Sequence, residues 1–336
     1  MEGMTMMDKE KKILTGRREF IRAFAATGAL AAGGCTALKG VIGGRDENLT
    51  AFLSDIHIAG PDECKWGKQP DYQNPLLDRV IDQILAMRPQ PARVVVFGDV
   101  ALWFGFRNDC EIAAAKLKRL EAAGIPVYVT TGNHDHRETL FAAFPKQKEI
   151  TKVPGRFCTK IDLGGADLLL FDSLDENPEG PGSGNAVAGK LEAAQYEWLL
   201  AEAKAATRPF LMGSHHPPRE LIVKGQKRNF LMNFQGLKHF AGYIYGHNHK
   251  WETGWFHKDY GDPHIVRQLG LPSTGWWGTI GFSLARTYPD RIEVSLAPGN
   301  DFFFPSPLKA GEPRPAQWDE IVREETGAKC VFTPVL

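Results

Sequence analysis

An α/β fold is predicted for the chain beyond residue 48 by two features. Short apolar runs alternate with helix-length segments, and the residues best suited to chemistry stand just after those runs. Thr50–Leu53, Arg93–Phe97, Pro126–Val129, Leu168–Phe171, Phe210–Met212 and Tyr243–Tyr245 read as buried strands. Asn108 and Glu111 form a candidate capping pair for a helix that runs to Ala123 with Ile112, Leu117 and Leu120 on its face; Gly124 and Pro126 stop it. Leu191, Ala194, Trp198 and Ala201 recur at spacings of three and four, which predicts a second amphipathic helix. Glu176 to Gly189, rich in glycine and proline, should be a surface loop. Phe282–Ala285 and Arg291–Leu296 flank Tyr288-Pro289-Asp290 and predict a closing hairpin, and no repeat of fixed period is present.

Ahead of this body, residues 1–35 are expected to be an export leader. Arg17-Arg18-Glu19-Phe20-Ile21-Arg22 precedes an alanine- and glycine-rich stretch, Ala23 to Gly34, that is too short to span a bilayer. Paired arginines followed by Phe20 and Ile21 resemble the twin-arginine signal, which serves the export of folded proteins and implies a periplasmic or extracellular location. The competing reading is a disordered basic tail with a short amphipathic helix. Cys35 follows Ala32-Gly33-Gly34 like a lipoprotein cleavage site that lacks the usual leucine, and a membrane would be a partner only if Cys35 were lipidated. Residues 36–48 read as a linker, 49–300 as the folded domain, and 301–336 as an irregular extension packed over it.

Lys plus Arg and Asp plus Glu balance at 40 each, so no strong long-range field is expected, which argues against nucleic acid as a partner. A small anionic substrate stays open, because bound cations can supply charge locally. The cysteines lie far apart with no CxxC pair, so neither a zinc-finger spacing nor a dense disulfide framework is present. Cys64, Cys110, Cys158 and Cys330 are open to pairing or to remaining free thiols.

The chemistry-bearing residues follow the strands. Asp55 and His57 follow Leu53; Asp99 follows Phe97-Gly98; Asn133 and His134 follow Thr130-Thr131-Gly132; His215 follows Gly213-Ser214; His247 and His249 follow Tyr245-Gly246. The carboxyl ends of strands in an open α/β sheet form one rim, so residues far apart in sequence converge there. Gly98, Gly132 and Gly246 are expected to let the backbone turn tightly beside them. Each element alone is weak, since Asp-x-His can be a solvated loop and Gly-Asp a plain turn. His247 and His249, two apart on an extended chain, would point to one side and are a better sign of metal. Five such elements in this order are hard to obtain by chance.

Taken together, Asp55-x-His57, Gly98-Asp99, Gly132-Asn133-His134-Asp135, His215-His216-Pro217-Pro218 and Gly246-His247-Asn248-His249 resemble the calcineurin-like metallophosphoesterase superfamily over roughly residues 49 to 297. The resemblance implies a four-layer α-β-β-α sandwich with a dinuclear metal site at the strand ends. It implies that Asp55, His57 and His249 bind one metal, that Asn133, His215 and His247 bind the other, and that Asp99 bridges them. His134 would stand beside the site and assist the leaving group. Between the adjacent His215 and His216 the choice of ligand is open; the His-x-Pro pattern favours His215 and leaves His216 beside the ligands, where it could orient substrate. Asp135 would hydrogen-bond a ligand or cap the next helix. Arg137 could meet a substrate phosphate or form a surface salt bridge. Trp103, Phe104, Trp276 and Trp277 are candidate walls of the cleft, or simply core.

Carboxylate, amide and imidazole ligands without thiolate suit Mn, Fe or Zn. In such sites a hydroxide bridging two cations attacks phosphorus in line with the departing oxygen. Gly132-Asn133-His134-Asp135-His136-Arg137, Leu191-x3-Gln195-x2-Trp198-Leu199 and Pro272-Ser273-Thr274 are similar to the branch holding class III cyclic-nucleotide phosphodiesterases and glycerophosphodiesterases. Val100-Ala101-Leu102-Trp103-Phe104-Gly105 departs from the more polar segment usual there, which leaves the ester open. The expected activity is hydrolysis of a small phosphodiester or phosphomonoester. Two other readings are a scaffold on a retired phosphoesterase fold, which should have lost ligands, and a metal hydrolase of a non-phosphate bond.

Overall fold

The computed structural model describes residues 41–42, 44–65, 70–223, 230–256, 266–275, 278–297, 303–304 and 329–335. The leader and Trp276 and Trp277 lie outside the described residues. The strands are, in chain order, β1 (Val41–Ile42), β2 (Arg45–Leu53), β3 (Gln90–Phe97), β4 (Val127–Thr130), β5 (Thr159–Asp162), β6 (Asp167–Leu170), β7 (Gly189–Leu191), β8 (Phe210–Ser214), β9 (Leu221–Val223), β10 (Phe240–Tyr245), β11 (Glu252–Phe256), β12 (Val266–Gly270), β13 (Gly278–Thr279), β14 (Ser283–Thr287), β15 (Ile292–Leu296), β16 (Phe303–Phe304) and β17 (Lys329–Phe332). One sheet runs β17-β15-β14-β2-β3-β4, with β1 paired to β2; the other runs β11-β12-β10-β8-β6-β5. β2, β3 and β4 are parallel, as are β6, β8, β10 and β12, so their carboxyl ends gather at one rim in each sheet.

Alternation along the strands explains the layers. In β2, Ala51 and Leu53 join a cluster with Leu77, Ile81 and Ile84 of the helix Pro70–Ala86 and with Leu117 and Leu120 of the helix Arg107–Ala122. Phe52, between them, faces the other way and packs with Leu168, Leu211, Ile244 and Leu269 of the second sheet. Successive strand side chains point to opposite faces, so one strand can serve two cores. The far face of the second sheet (Leu169, Met212 and Tyr243) packs on Leu199 and Ala203 of the helix Ala193–Lys204 and on Phe230 and Phe234. The order is therefore helices, sheet, sheet, helix: a four-layer sandwich.

Several expectations need correction. The supposed linker is part of the first sheet from Val41, and β2 begins at Arg45 rather than near Leu49. Its charged residues are matched across strands: Asp46 pairs with Arg286 of β14, and Glu47 with Arg93 of β3 at 3.2 Å. The tail supplies two strands, β16 and β17, rather than a wholly irregular extension. β17 pairs with β15, and alternation turns Cys330 and Phe332 inward while Lys329 and Val331 stay exposed. The helix Arg107–Ala122 has no side-chain cap from Asn108; Glu111 pairs instead with Arg107 at 2.7 Å. The helix Ala193–Lys204 buries Gln195, Leu199 and Ala203, leaving Ala194 and Ala201 exposed, because Gln195 donates a hydrogen bond to the Asp172 carbonyl at 2.5 Å and so fixes the inward face. Cys64, Cys110, Cys158 and Cys330 are all free.

Candidate metal centre

The strand ends bring Asp55, His57, Asp99, Asn133, His215, His247 and His249 to one place. Pairing persists past β2 and β3: Asp55 and His57 donate their backbone N–H groups to the carbonyls of Gly98 and Asp99, at 3.1 and 3.0 Å. Among the described residues, five of the six non-glycine residues with positive φ are site residues: Asp55 (52°), His57 (46°), Asp99 (48°), His247 (67°) and His249 (52°). Such conformations cost of order 1–3 kcal/mol each, and side chains held there are aimed by the fold rather than by local preference.

The motif glycines act differently from one another. Gly98 has φ +80° and a Cβ there would lie 2.6 Å from the Gly132 nitrogen. Gly132 and Gly246 do not turn the chain through positive φ; they admit neighbours. A Cβ on Gly132 would lie 2.1 Å from Asp99 Oδ1, and one on Gly246 would lie 1.9 Å from Ser54 Oγ. The expectation that all three serve tight turns is corrected in that respect.

Two groups of donor atoms result, one of Asp55, His57, Asp99 and His249, the other of His215, His216 and His247. In the first, His249 Nε2 is 3.2 Å from Asp55 Oδ1 and 3.1 Å from His57 Nε2. In the second, His215 Nε2 is 3.1 Å from Asn133 Oδ1 and 3.2 Å from His247 Nδ1, and Asn133 Oδ1 is 2.9 Å from His247 Nδ1. Asp99 Oδ2 faces both groups, 3.2 Å from His215 Nε2 and 3.7 Å from His57 Nε2. The other oxygen, Oδ1, accepts the His134 backbone N–H at 2.9 Å.

The protons on these rings can be assigned from their outer partners. His57 Nδ1 lies 3.1 Å from the Leu102 carbonyl oxygen, and His215 Nδ1 lies 2.9 Å from that of Phe97. A carbonyl only accepts, so each Nδ1 carries a hydrogen, and either ring in its neutral form points a bare Nε2 lone pair inward. Lone pairs of nitrogen, amide and carboxylate then converge within hydrogen-bond distance of one another, an arrangement that a cation satisfies and that protons alone satisfy only in part. The donor set therefore fits metal. The field inside attracts positive charge: burial opposes charge on His215, but Asp99 and Asp55 outweigh it and raise its pKa to about 9, so a proton and a cation compete for its Nε2. Burial drives His57 down to about 3, against the pull of Asp99. For Asp55 and Asp99 burial opposes ionisation, but the surrounding histidines hold both carboxyls below their ordinary range.

His134 stands at the edge of this centre, its Nδ1 3.1 Å from the Trp103 carbonyl and its Nε2 3.9 Å from Asp99 Oδ2. The Trp103 ring meets it edge-on, at 4.8 Å between centroids. The loop that supplies these carbonyls is clamped by two buried carboxylates. Asp135 accepts from Val100 and Ala101, both at 2.9 Å, and from Gly132 at 2.8 Å; Glu63 accepts from Trp103 and Phe104 at 3.0 and 2.9 Å. Asp135 thus holds three backbone N–H groups rather than a metal ligand's side chain, and burial with the nearby Asp99 charge raises its pKa. Glu63 carries no motif, sits in the single helical turn Pro61–Cys64, and was not legible as a site residue.

His216 belongs to the second donor group by proximity, but its side-chain polar partner is Ser173 rather than Asn133 or Asp99. Its Nδ1 is 2.8 Å from Ser173 Oγ, and its ring is 5.0 Å from those of His215 and His247. Burial, with the charges of those two rings, holds it far below its ordinary pKa, so it is neutral. Arg137 turns away from the cleft: it grips Asp172 through two bonds at 2.7 and 2.8 Å and Glu176 through one at 2.7 Å. A substrate phosphate would have to displace two carboxylates from that guanidinium. Replacing Arg137 by Met should therefore act on stability, costing about 3–5 kcal/mol because the wholly buried Asp172 loses its counter-charge. Urea unfolding curves read this directly, and an unchanged midpoint would contradict it.

The centre opens into a cleft of ≈ 520 Å³, whose lining includes the apolar Leu102, Trp103 and Val187 and the polar Asn248, Lys250 and Glu252. Phe104, next to Trp103, does not line the cleft.

A family profile described as calcineurin-like phosphoesterase matches residues 49–251. Among solved structures, a dimetal phosphatase from Danio rerio is 16% identical, with a TM-score of 0.53 over 73% of this chain and 94% of that one. The TT1561 protein of Thermus thermophilus is 12% identical, with a TM-score of 0.41 over 71% of this chain and 94% of that one. No curated protein matches the chain.

Proposed function

The chain belongs to the calcineurin-like phosphoesterase family, and from that premise we propose that it is a dinuclear-metal phosphoesterase that cleaves small phosphodiesters or phosphomonoesters. Asp55, His57 and His249 would hold one cation and Asn133, His215 and His247 the other. The observation that carries the reading is the place of Asp99, whose Oδ2 faces both groups. When bound, two cations of Mn, Fe or Zn would supply an activated water and positive charge against the phosphate oxygens.

The protein's own part is alignment and proton delivery. Backbone carbonyls of Leu102 and Phe97 hold His57 and His215 with their lone pairs inward. Trp103 does the same for His134, so in the imidazolium form the second proton sits on Nε2, the atom nearest Asp99 Oδ2. From there it can pass to a departing alkoxide, which a diester releases and which needs that help more than an activated aryl oxide does. Leu102, Trp103 and Val187 give the cleft apolar lining, against which the organic part of an ester fits. The likeness of Gly132–Arg137 to the cyclic-nucleotide and glycerophosphodiesterase branch supports a diester.

The test is turnover by the purified chain of a paired aryl phosphate monoester and alkyl phosphodiester, first with added Mn and then with chelator. Chelator-sensitive cleavage supports the reading, and the ratio of the two rates identifies the preferred ester. Two bound metals without cleavage of either would point to another bond; no bound metal would favour a scaffold.

Arg17-Arg18-Glu19-Phe20-Ile21-Arg22 and the stretch after it support a further part of the proposal: export in the folded state, with metals loaded in the cytoplasm. Changing Arg17 and Arg18 to Lys should leave the protein in the cytoplasm. Undiminished export of that variant would refute it.

A further inference from the structure

Of the rings assigned to the second cation, His247 is held in a way no motif announces. Its Nδ1 looks inward, 2.9 Å from Asn133 Oδ1 and 3.2 Å from His215 Nε2. Its Nε2 looks outward and lies 3.1 Å from Glu220 Oε2. Glu220 ends the 3-10 turn Pro218–Glu220, just after His215-His216-Pro217, and its N–H is returned to the Pro217 carbonyl at 3.0 Å. The segment His215–Glu220 thus starts with one inward-facing imidazole and ends with a carboxylate beside another.

We propose that Glu220 is a positioning residue for the second cation group, fixing the His247 ring with Nδ1 toward the centre. The inference rests on the two-metal reading above and adds a residue to it. An ionised carboxylate can only accept, so its contact places the ring proton on Nε2 and leaves the Nδ1 lone pair for a cation. Leu102 and Phe97 serve His57 and His215 in this way through backbone carbonyls. His247 receives a full negative charge in place of a carbonyl dipole. The pair is partly shielded, with side-chain exposures of 13% for His247 and 30% for Glu220, so solvent does not fully screen it. Arg219 Nε contacts the other oxygen, Glu220 Oε1, at 3.2 Å and leaves Oε2 to His247. A rim ion pair with no bearing on metal is the competing account, and metal binding separates the two.

The experiment compares the full-length protein with Glu220→Ala and Glu220→Gln, each loaded with Mn, titrated with chelator, and assayed for metal retained per chain by mass spectrometry. Circular dichroism monitors folding. Wild type should release metal in two classes. Glu220→Ala should weaken one class by about 10–100-fold, the cost of losing such a partner, and leave the other class in place. Glu220→Gln keeps an acceptor oxygen without the charge and should fall between; it decides the matter if the Ala variant fails to fold. Identical release curves for all three proteins, or equal weakening of both classes, would overturn the role of Glu220 while leaving the two-metal reading standing. A wild-type chain that retains no metal would overturn both.

Discussion

Asp99→Asn is expected to lower turnover of any phosphoester substrate by at least about 10³-fold and to bring bound metal below two equivalents. Several kcal/mol of transition-state stabilisation rest on the cation pair, and each 1.36 kcal/mol is about tenfold in rate. Asp99 Oδ2 is the oxygen that faces both ligand groups, at 3.2 Å from His215 Nε2 and 3.7 Å from His57 Nε2. Asparagine is the informative replacement because it changes little else. It tolerates the left-handed backbone that Asp99 adopts at φ 48°, and it retains an oxygen to accept the His134 N–H. The backbone bond from His57 N–H to the Asp99 carbonyl is unaffected. What is lost is the charge that holds His215 toward its cationic form and would neutralise two metals at once. Steady-state rates measured beside metal content and a melting curve would check the expectation. An Asn variant with wild-type turnover and two metals would remove Asp99 from the bridging position.

The candidate ligands were legible because their signals are local. Apolar runs mark the strands, and the polar residue beyond each run lands at the rim of a parallel sheet whatever the details of packing. His215 shows the limit of that reasoning: the neighbouring His216 has the same chemistry, and only the ring's distances to Asn133 and Asp99 set the two apart. Residues that hold the site from behind were not legible at all. Glu63 and Glu220 act through a backbone loop and a ring that lie 40 or 41 and 27 positions away, and neither stands at a spacing that signals its partner. The same cause hid the start of β2 and the strand β17. Asp46 and Glu47 look like linker residues until Arg286 and Arg93 are brought beside them, and Lys329–Phe332 offers only four residues of alternation. The buried face of the helix Ala193–Lys204 was misplaced because a polar residue, Gln195, sits at its centre, with its amide bonded to a core carbonyl.

His134→Ala should separate esters by their leaving groups. Loss of a general acid typically costs 10²–10⁴-fold, so cleavage of a diester with an alkoxide leaving group is expected to fall by about that amount. An aryl phosphate monoester, whose leaving oxide needs no proton, should be affected much less. The geometry motivates the asymmetry: His134 has its Nδ1 committed to the Trp103 carbonyl at 3.1 Å, while its Nε2 borders the cleft, 3.9 Å from Asp99 Oδ2. The Ala variant keeps its backbone N–H to Asp99 Oδ1, so metal content should stay at the wild-type level and the kinetic change can be read as chemistry. Equal losses on both esters with full metal content would mean that His134 stabilises the phosphate rather than the leaving group. Unequal losses that track metal content would mean that it supports the ligands. The ratio of the two rate losses, measured beside metal content, therefore assigns the proton, which a single rate cannot do.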